Sequence, residues 1–205
     1  MRLYGSLTSP FVRKARVAAL ELGLDGEVEF VPTVVKPTQP NTDFGADVNP
    51  VRRVPALATE DAGVLTDSAL IVEYLDARAG GGKIIPASGP ARFKALNRAA
   101  VASGATDALV LAMYEGALRP ETFRWTEWRV DQMDKAHAVL GWFEENIAEL
   151  GEDADIGAIA LGAMIGYAQF RFADIDWLAA TPKLKVWWMA MSERASFKET
   201  APPIG

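Results

Sequence analysis

Three short segments in the first third of the chain carry groups able to hold and activate a small polar ligand. Thr8-Ser9-Pro10-Phe11 lies between an apolar alternation over Arg2 to Ser6 and a run with Val12, Ala15, Ala19 and Leu22 at helical spacing, closed by Gly23. Strand, turn and helix in that order place the Ser9 hydroxyl near unpaired helical N–H groups and the positive end of a dipole, where an anion is favoured. The same residues also read as a plain helix cap with Pro10 at the first helical position. Val54-Pro55 opens a second β-rich stretch, at a place where proline cannot donate to a ladder. A cis bond there turns the backbone of Val54 outward toward an extended, peptide-like ligand; a trans bond makes Pro55 an ordinary edge proline. Asp67-Ser68 starts a further helix and offers a carboxylate for an ammonium, with a hydroxyl and N–H for a carboxylate. That pairing matches a zwitterionic amino-acid head group, and it also matches a simple cap.

The elements that must position these groups change character along the chain. A βαβ pattern comes first: Arg2 to Ser6, the helix from Pro10, and β-rich Val28 to Val35. A loop rich in Pro, Thr and Asn follows through Asn49 and Pro50. Pro55 to Thr59 and Gly63 to Leu65 then read as a hairpin, and Ala69 to Ala79 as a helix after the capping types Thr66, Asp67 and Ser68. Residues 80–89, with four glycines and one proline, read as a linker. No strand pattern recurs beyond it. Pro90 to Leu118 and Pro120 to Leu150 keep helical periodicity, Asp155 to Ala173 is apolar nearly all round, and Thr181-Pro182 starts a last major helix. The expected organisation is a ligand-binding domain over 1–79, a linker over 80–89 and an all-helical domain over 90–205.

Composition removes several classes of chemistry. The 205 residues are 50% apolar, enough for real cores, and the net charge is -6, which gives no general attraction to phosphate backbones or anionic lipid. Nucleic acid and membrane partners are therefore not expected. Cysteine is absent and histidine occurs once, which leaves no thiolate nucleophile, disulfide or ordinary zinc site, so no metal is expected. The opening residues MRLYGSLTSP lack a secretory pattern, and no apolar run approaches the length of a spanning helix, so a cytoplasmic location is expected.

Together, TSPF, NPVRRVPAL, LTDSALIVEYL and a helical C-terminal region resemble the cytosolic glutathione S-transferase superfamily, bacterial members with a Ser-Pro-Phe first turn above all. The likeness covers nearly the whole chain, including the closing stretch DWLAATPKLKVWWMAMSERASFKETAP. It implies an α/β thioredoxin-like N-terminal domain followed by an all-α C-terminal bundle, and a homodimer. It further implies that glutathione is the co-substrate, that the Val54 backbone pairs with its cysteinyl unit, and that Asp67 and Ser68 hold its γ-glutamyl head. The same resemblance makes Ser9 the candidate to face the sulfur, with Thr8 as runner-up, and implies that Phe11 lines the site. Arg53 stands where relatives usually carry Lys and suits the glycyl carboxylate, with Lys36 as an alternative cation. Many relatives have Cys in the first turn; its absence here excludes chemistry through a protein thiol. The family's Ser/Thr-x-x-Asp at the core helix is replaced by Asp155-Ile156-Gly157-Ala158, which keeps a capping residue and loses the later acid, a change that bears on folding rather than catalysis.

The expected activity is conjugation of the glutathione thiolate to small hydrophobic electrophiles. Glutathione-dependent isomerisation, peroxide reduction and a non-catalytic binding module are the rival readings. Leu111 and Tyr114, with Phe11, are the expected second-substrate pocket. His137 reads as a surface or boundary residue, Trp125, Trp128, Trp187 and Trp188 as packing, and Arg13, Lys14 and Arg16 as a solvated helix face from which Arg13 could assist the thiolate.

Overall fold

The structure is a computed structural model that describes residues 1–203. It divides into two compact units: Met1–Arg92 together with the segment from Ala195, and Phe93–Arg194. The first unit holds β1 (Arg2–Gly5), α1 (Pro10–Glu21), β2 (Glu29–Pro32), α2 (Thr42–Asp47), β3 (Ala56–Ala58), β4 (Val64–Thr66), α3 (Ser68–Arg78) and α8 (Ala195–Glu199). Its sheet runs β2-β1-β3-β4, with β1 and β2 parallel and the other pairs antiparallel. This is the thioredoxin-like α/β arrangement expected from the sequence. The long α4 (Gly89–Ala117) leads into the second unit, followed by α5 (Thr126–Glu145), α6 (Ile156–Arg171) and α7 (Pro182–Ser192), all helical as expected.

Each boundary has a local cause. Gly23, at φ 69°, takes the left-handed turn that ends α1, and Pro10 starts it behind the cap at Ser9. Gly5 ends β1 where α1 crosses closest: a Cβ there would lie 2.7 Å from Val12 Cγ1. The stretch through Asn49 was expected to be loop, yet it contains α2. Asn41 caps it by accepting from Phe44 N–H at 3.0 Å, and buried Phe44 anchors it, while Pro37, Pro40 and Gly45 disguise it in the sequence.

Two sequence boundaries change. Residues from 195 onward were expected in the helical domain, but α8 packs on α1 and counts with the first unit; Ile204 and Gly205 of that expected span lie outside the described residues. The segment 80–89 joins α3 to α4 without being slack. Buried Asp76 accepts the N–H groups of Gly82, Lys83 and Ile84 at 2.9, 3.0 and 2.9 Å, and Ile84 and Ile85 are buried. Unit one accordingly runs on to Arg92, whose guanidinium bonds the Pro86 carbonyl at 3.3 Å and pairs with Glu73.

In the second unit α6 is buried at every residue from Ile156 to Ala168, and Leu109, Leu140, Phe143 and Leu184 on the other helices of that unit are buried as well. The expected helix from Pro120 to Leu150 is interrupted. A 3-10 turn, Glu121–Phe123, precedes α5, because the Glu115 carboxylate takes the Trp125 N–H at 2.7 Å and Arg119 Nε at 2.7 Å. The Trp125 N–H bond, more than Arg119, holds the Glu115 carboxyl below its ordinary range.

The backbone N–H of Asp155, which a later acid would accept in a capping box, goes instead to the Asp153 carbonyl at 3.0 Å. Asp155 Oδ1 caps Ala158 N–H at 2.8 Å while Oδ2 takes Arg98 Nη2 from α4 at 2.6 Å. Gly157 makes room for this: a Cβ would stand 2.8 Å from Arg98 Cβ. Asp155→Ala removes a cap and leaves the buried Arg98 guanidinium with only Glu149, at 3.5 Å, among the described carboxylates, and is expected to destabilise the protein by about 3 kcal/mol in urea unfolding. Asp155→Asn, which still caps, should fall between that variant and the wild type.

Candidate functional site

The three sequence-selected segments meet at one end of the sheet. Tyr4 of β1 faces Ala56 of β3, and Ala56 faces Thr66 of β4, so one row of paired residues crosses three strands. The chain leaves that row as Gly5–Ser9, arrives at it through Val54-Pro55, and leaves it again at Asp67-Ser68. Parallel β2 ends alongside, with Gly5 opposite Pro32, and Lys36 follows as an exposed residue.

Ser9 is the N-cap of α1, its Oγ accepting from Val12 N–H at 3.4 Å and its carbonyl from Arg13 N–H at 3.0 Å. The cap uses the hydroxyl as acceptor, which leaves its proton to donate. Pro10 has no N–H, so Phe11 supplies the first-turn donor that helix geometry leaves without an intrahelical partner. Thr8 is arranged differently. Its hydroxyl lies 3.1 Å from Ser6 Oγ, and its N–H bonds the same atom at 3.4 Å. Phe11 is half-buried, with Lys14 Nζ 5.9 Å from its ring centroid.

The Val54–Pro55 bond is cis, and no strand pair includes Val54 among the described residues. The loop before it is held by Asn49, which sequence reading left in an undifferentiated loop. This residue is 2% exposed; its Nδ2 donates to the Arg53 carbonyl at 2.8 Å, its Oδ1 accepts from Val51 N–H at 3.1 Å, and its carbonyl from Arg52 N–H at 2.8 Å. Arg52 thereby adopts φ 54°, unusual for a non-glycine residue, and its stem lies against Gly45. The Asn49-Pro50 dipeptide was the available signal. Arg53 itself is exposed.

Asp67 takes φ 73° and caps α3, Oδ1 accepting from Ala69 N–H at 2.7 Å. Its side chain is exposed, whereas Ser68, the first helical residue, is buried apart from a small edge. Leu111 and Tyr114 belong to the other compact unit, exposed and half-buried respectively on α4.

Several residues depart from expectation. Arg13 and Lys14 do not form a solvated face: Arg13 is 6% exposed, because α3 and α8 cover α1. Burial, aided by the charge of Arg16, pushes the Arg13 guanidinium down to about 10. Trp125 is 63% exposed and does not pack, whereas Trp188 is buried and donates to Gln169 Oε1 at 3.1 Å. His137, by contrast, is exposed as expected, and it stacks on Trp177 with centroids 4.5 Å apart. Among the described residues no helix is long and apolar enough to cross a membrane.

A thioredoxin-like unit with a capped first turn, a cis-proline and an acidic-Ser helix start, followed by an all-helical unit, defines the class of glutathione-binding transferase folds. Residues 3–83 match the family model for the glutathione S-transferase N-terminal domain. An uncharacterized GST-like protein of Escherichia coli K12, YibF, is 30% identical over 99% of both chains. A glutathione transferase family member from Pseudomonas fluorescens Pf-5, solved with bound glutathione, is 38% identical with a TM-score of 0.95 over 99% of each chain. A glutathione S-transferase from Methylobacillus flagellatus KT with glutathione bound is 36% identical, with a TM-score of 0.87 over 98% of this chain and 99% of that one. The chain belongs to the glutathione S-transferase superfamily.

Proposed function

We propose that the protein is a cytoplasmic, homodimeric glutathione transferase that conjugates the glutathione thiolate to small hydrophobic electrophiles. The observation that carries this reading is the row Tyr4–Ala56–Thr66, which gathers Ser9, the Val54 backbone and Asp67-Ser68 at one sheet end. The glutathione-bound relatives support it, and one of them, from Pseudomonas fluorescens, was also solved with S-(propanoic acid)-glutathione, a thioether of glutathione.

In this reading the Val54 backbone pairs with the cysteinyl unit, and Asp67 and Ser68 take the γ-glutamyl ammonium and carboxylate. Arg53 or Lys36 meets the glycyl carboxylate. Phe11, Leu111 and Tyr114 contribute to the acceptor pocket. Asp67→Ala should weaken glutathione binding by about 1.5 kcal/mol or more, the loss of a charge-assisted hydrogen bond, as read by calorimetry. Equal affinity in the variant would remove Asp67 from the site.

The reaction needs thiolate, and a free thiol has a pKa of about 8.5, so a two-unit lowering takes roughly 2.7 kcal/mol. A helix N-terminus supplies up to about 2 kcal/mol and one hydrogen bond to a charged group about 1.5–3. Ser9 with the first turn of α1 therefore suffices. The thiolate lone pair forms the new S–C bond, and the displaced group leaves with its own electron pair; in an addition, the acceptor carbon takes a proton instead. Ser9 is not the nucleophile, since no base activates it.

Two experiments test the assignment. Ser9→Ala should lower the conjugation rate with an aryl halide at neutral pH about 10- to 100-fold, with recovery as pH rises and little change in glutathione affinity. If Thr8→Ala shifts the pH profile and Ser9→Ala does not, the role passes to Thr8. Light scattering at low micromolar concentration should give about twice the 22.2 kDa chain mass. A panel of electrophiles, isomerisable substrates and hydroperoxides separates conjugation from the related glutathione chemistries.

A further inference from the structure

Arg13 lies one turn beyond Ser9 on α1, and its N–H bonds the Ser9 carbonyl. Its side chain leaves α1 for α8. Nη2 donates to the Phe197 carbonyl at 3.0 Å, Nε to Thr200 Oγ1 at 3.4 Å, and the guanidinium carbon stands 5.5 Å from the Phe197 ring centroid. The acceptor is itself fixed, since Thr200 is fully buried and its hydroxyl donates to the Ser196 carbonyl at 2.7 Å. The same helix is tied down twice more: Arg16 Nη2 reaches the Glu199 carbonyl at 3.5 Å, and the Ser196 hydroxyl bonds the Glu21 carboxylate.

A tether alone does not require a charge. Buried cations cost desolvation, and an apolar side chain of similar volume would join two helices at least as well. Yet no carboxylate bonds the Arg13 guanidinium among the described residues. On α1 Arg16 acts on it and repels it, while the Glu199 carboxylate on α8 acts on Arg16. On α3 the charged groups are engaged elsewhere: Glu73 with Arg92, Asp76 with the amides of 82–84, and Arg78 with Glu27 at 2.6 Å. Among the described residues the positive charge is thus left without a bonded carboxylate, one turn from the helix end where Ser9 stands.

We infer that Arg13, gripped by α8, is a positioning residue for thiolate formation: it holds the first turn of α1 in place and adds its charge to the potential at that end. The inference rests on the Ser9 reading above. It makes the last helix of the chain, which supplies no group to the site, a determinant of the reactivity of bound glutathione.

The test is the ultraviolet thiolate band of glutathione titrated on the wild type, Arg13→Met, Thr200→Val, Thr200→Ser and Ser9→Ala, with thermal midpoints taken alongside. Arg13→Met should raise the pKa of bound glutathione by about one unit, roughly a tenfold loss of thiolate at low pH. Thr200→Val should move it the same way by less, and Thr200→Ser, which keeps the hydroxyl, should restore it. In steady state kcat should fall while KM for glutathione holds. If Ser9→Ala shifts the pKa and neither Arg13→Met nor Thr200→Val does, Arg13 is only a tether and the inference is wrong. Should Arg13→Met fail to fold, the Thr200 pair decides on the same criterion. A wild-type titration with no lowered pKa, unchanged in Ser9→Ala, would overturn the Ser9 reading and this inference with it.

Discussion

The candidate site depends on strand register. With Tyr4, Ala56 and Thr66 in one row, three segments far apart in sequence emerge side by side. A slip of one residue at β3 would turn its side chains to the opposite face and carry Val54 out of line with the α1 turn. Burial of Leu3 and Leu57, opposite each other in that register, makes the slip costly. Gly5, the residue after that row, adds a second restriction, because Val12 occupies the space a side chain would need, which sets how closely the first helical turn can follow the strand.

Charge is handled differently at different places in the molecule. Arg98 is buried against Asp155 and Glu149, and Asp76 is surrounded by amides, so each has partners that offset the loss of water. Among the described residues Arg13 meets a carbonyl, a hydroxyl and an aromatic ring, and burial, aided by Arg16, lowers its proton affinity. The contrast separates charges that hold the fold together from one whose field is left available to the helix end nearby.

The sequence was most legible where residue type and secondary structure agree. Ser9-Pro10 announces a helix start, and Thr66-Asp67-Ser68 a second one, because capping chemistry is local. The helical second unit was equally plain from periodicity. What remained hidden depends on distant partners. Nothing near Arg13 in the sequence points to Phe197 or Thr200, so a mostly basic stretch read as solvated. Asn49 looked like a loop residue because its role is to satisfy three neighbouring backbone groups, which only the folded turn displays. The bond from Arg98 to the Asp155 cap is likewise invisible without the fold, and the exposed Trp125 shows that aromatic residues at helical spacing do not always find a core.

The place of α8 also bears on how the chain is made. The thioredoxin-like unit starts at Met1 but includes the segment from Ala195, so no continuous fragment that omits the helical unit contains all of it. A ribosome delivers the sheet first and the clamp for α1 after the intervening helical unit, and domains fold as they emerge. The unit begun first is therefore finished last, and until α8 docks, a nascent chain exposes the face of α1 on which Arg13 will be buried.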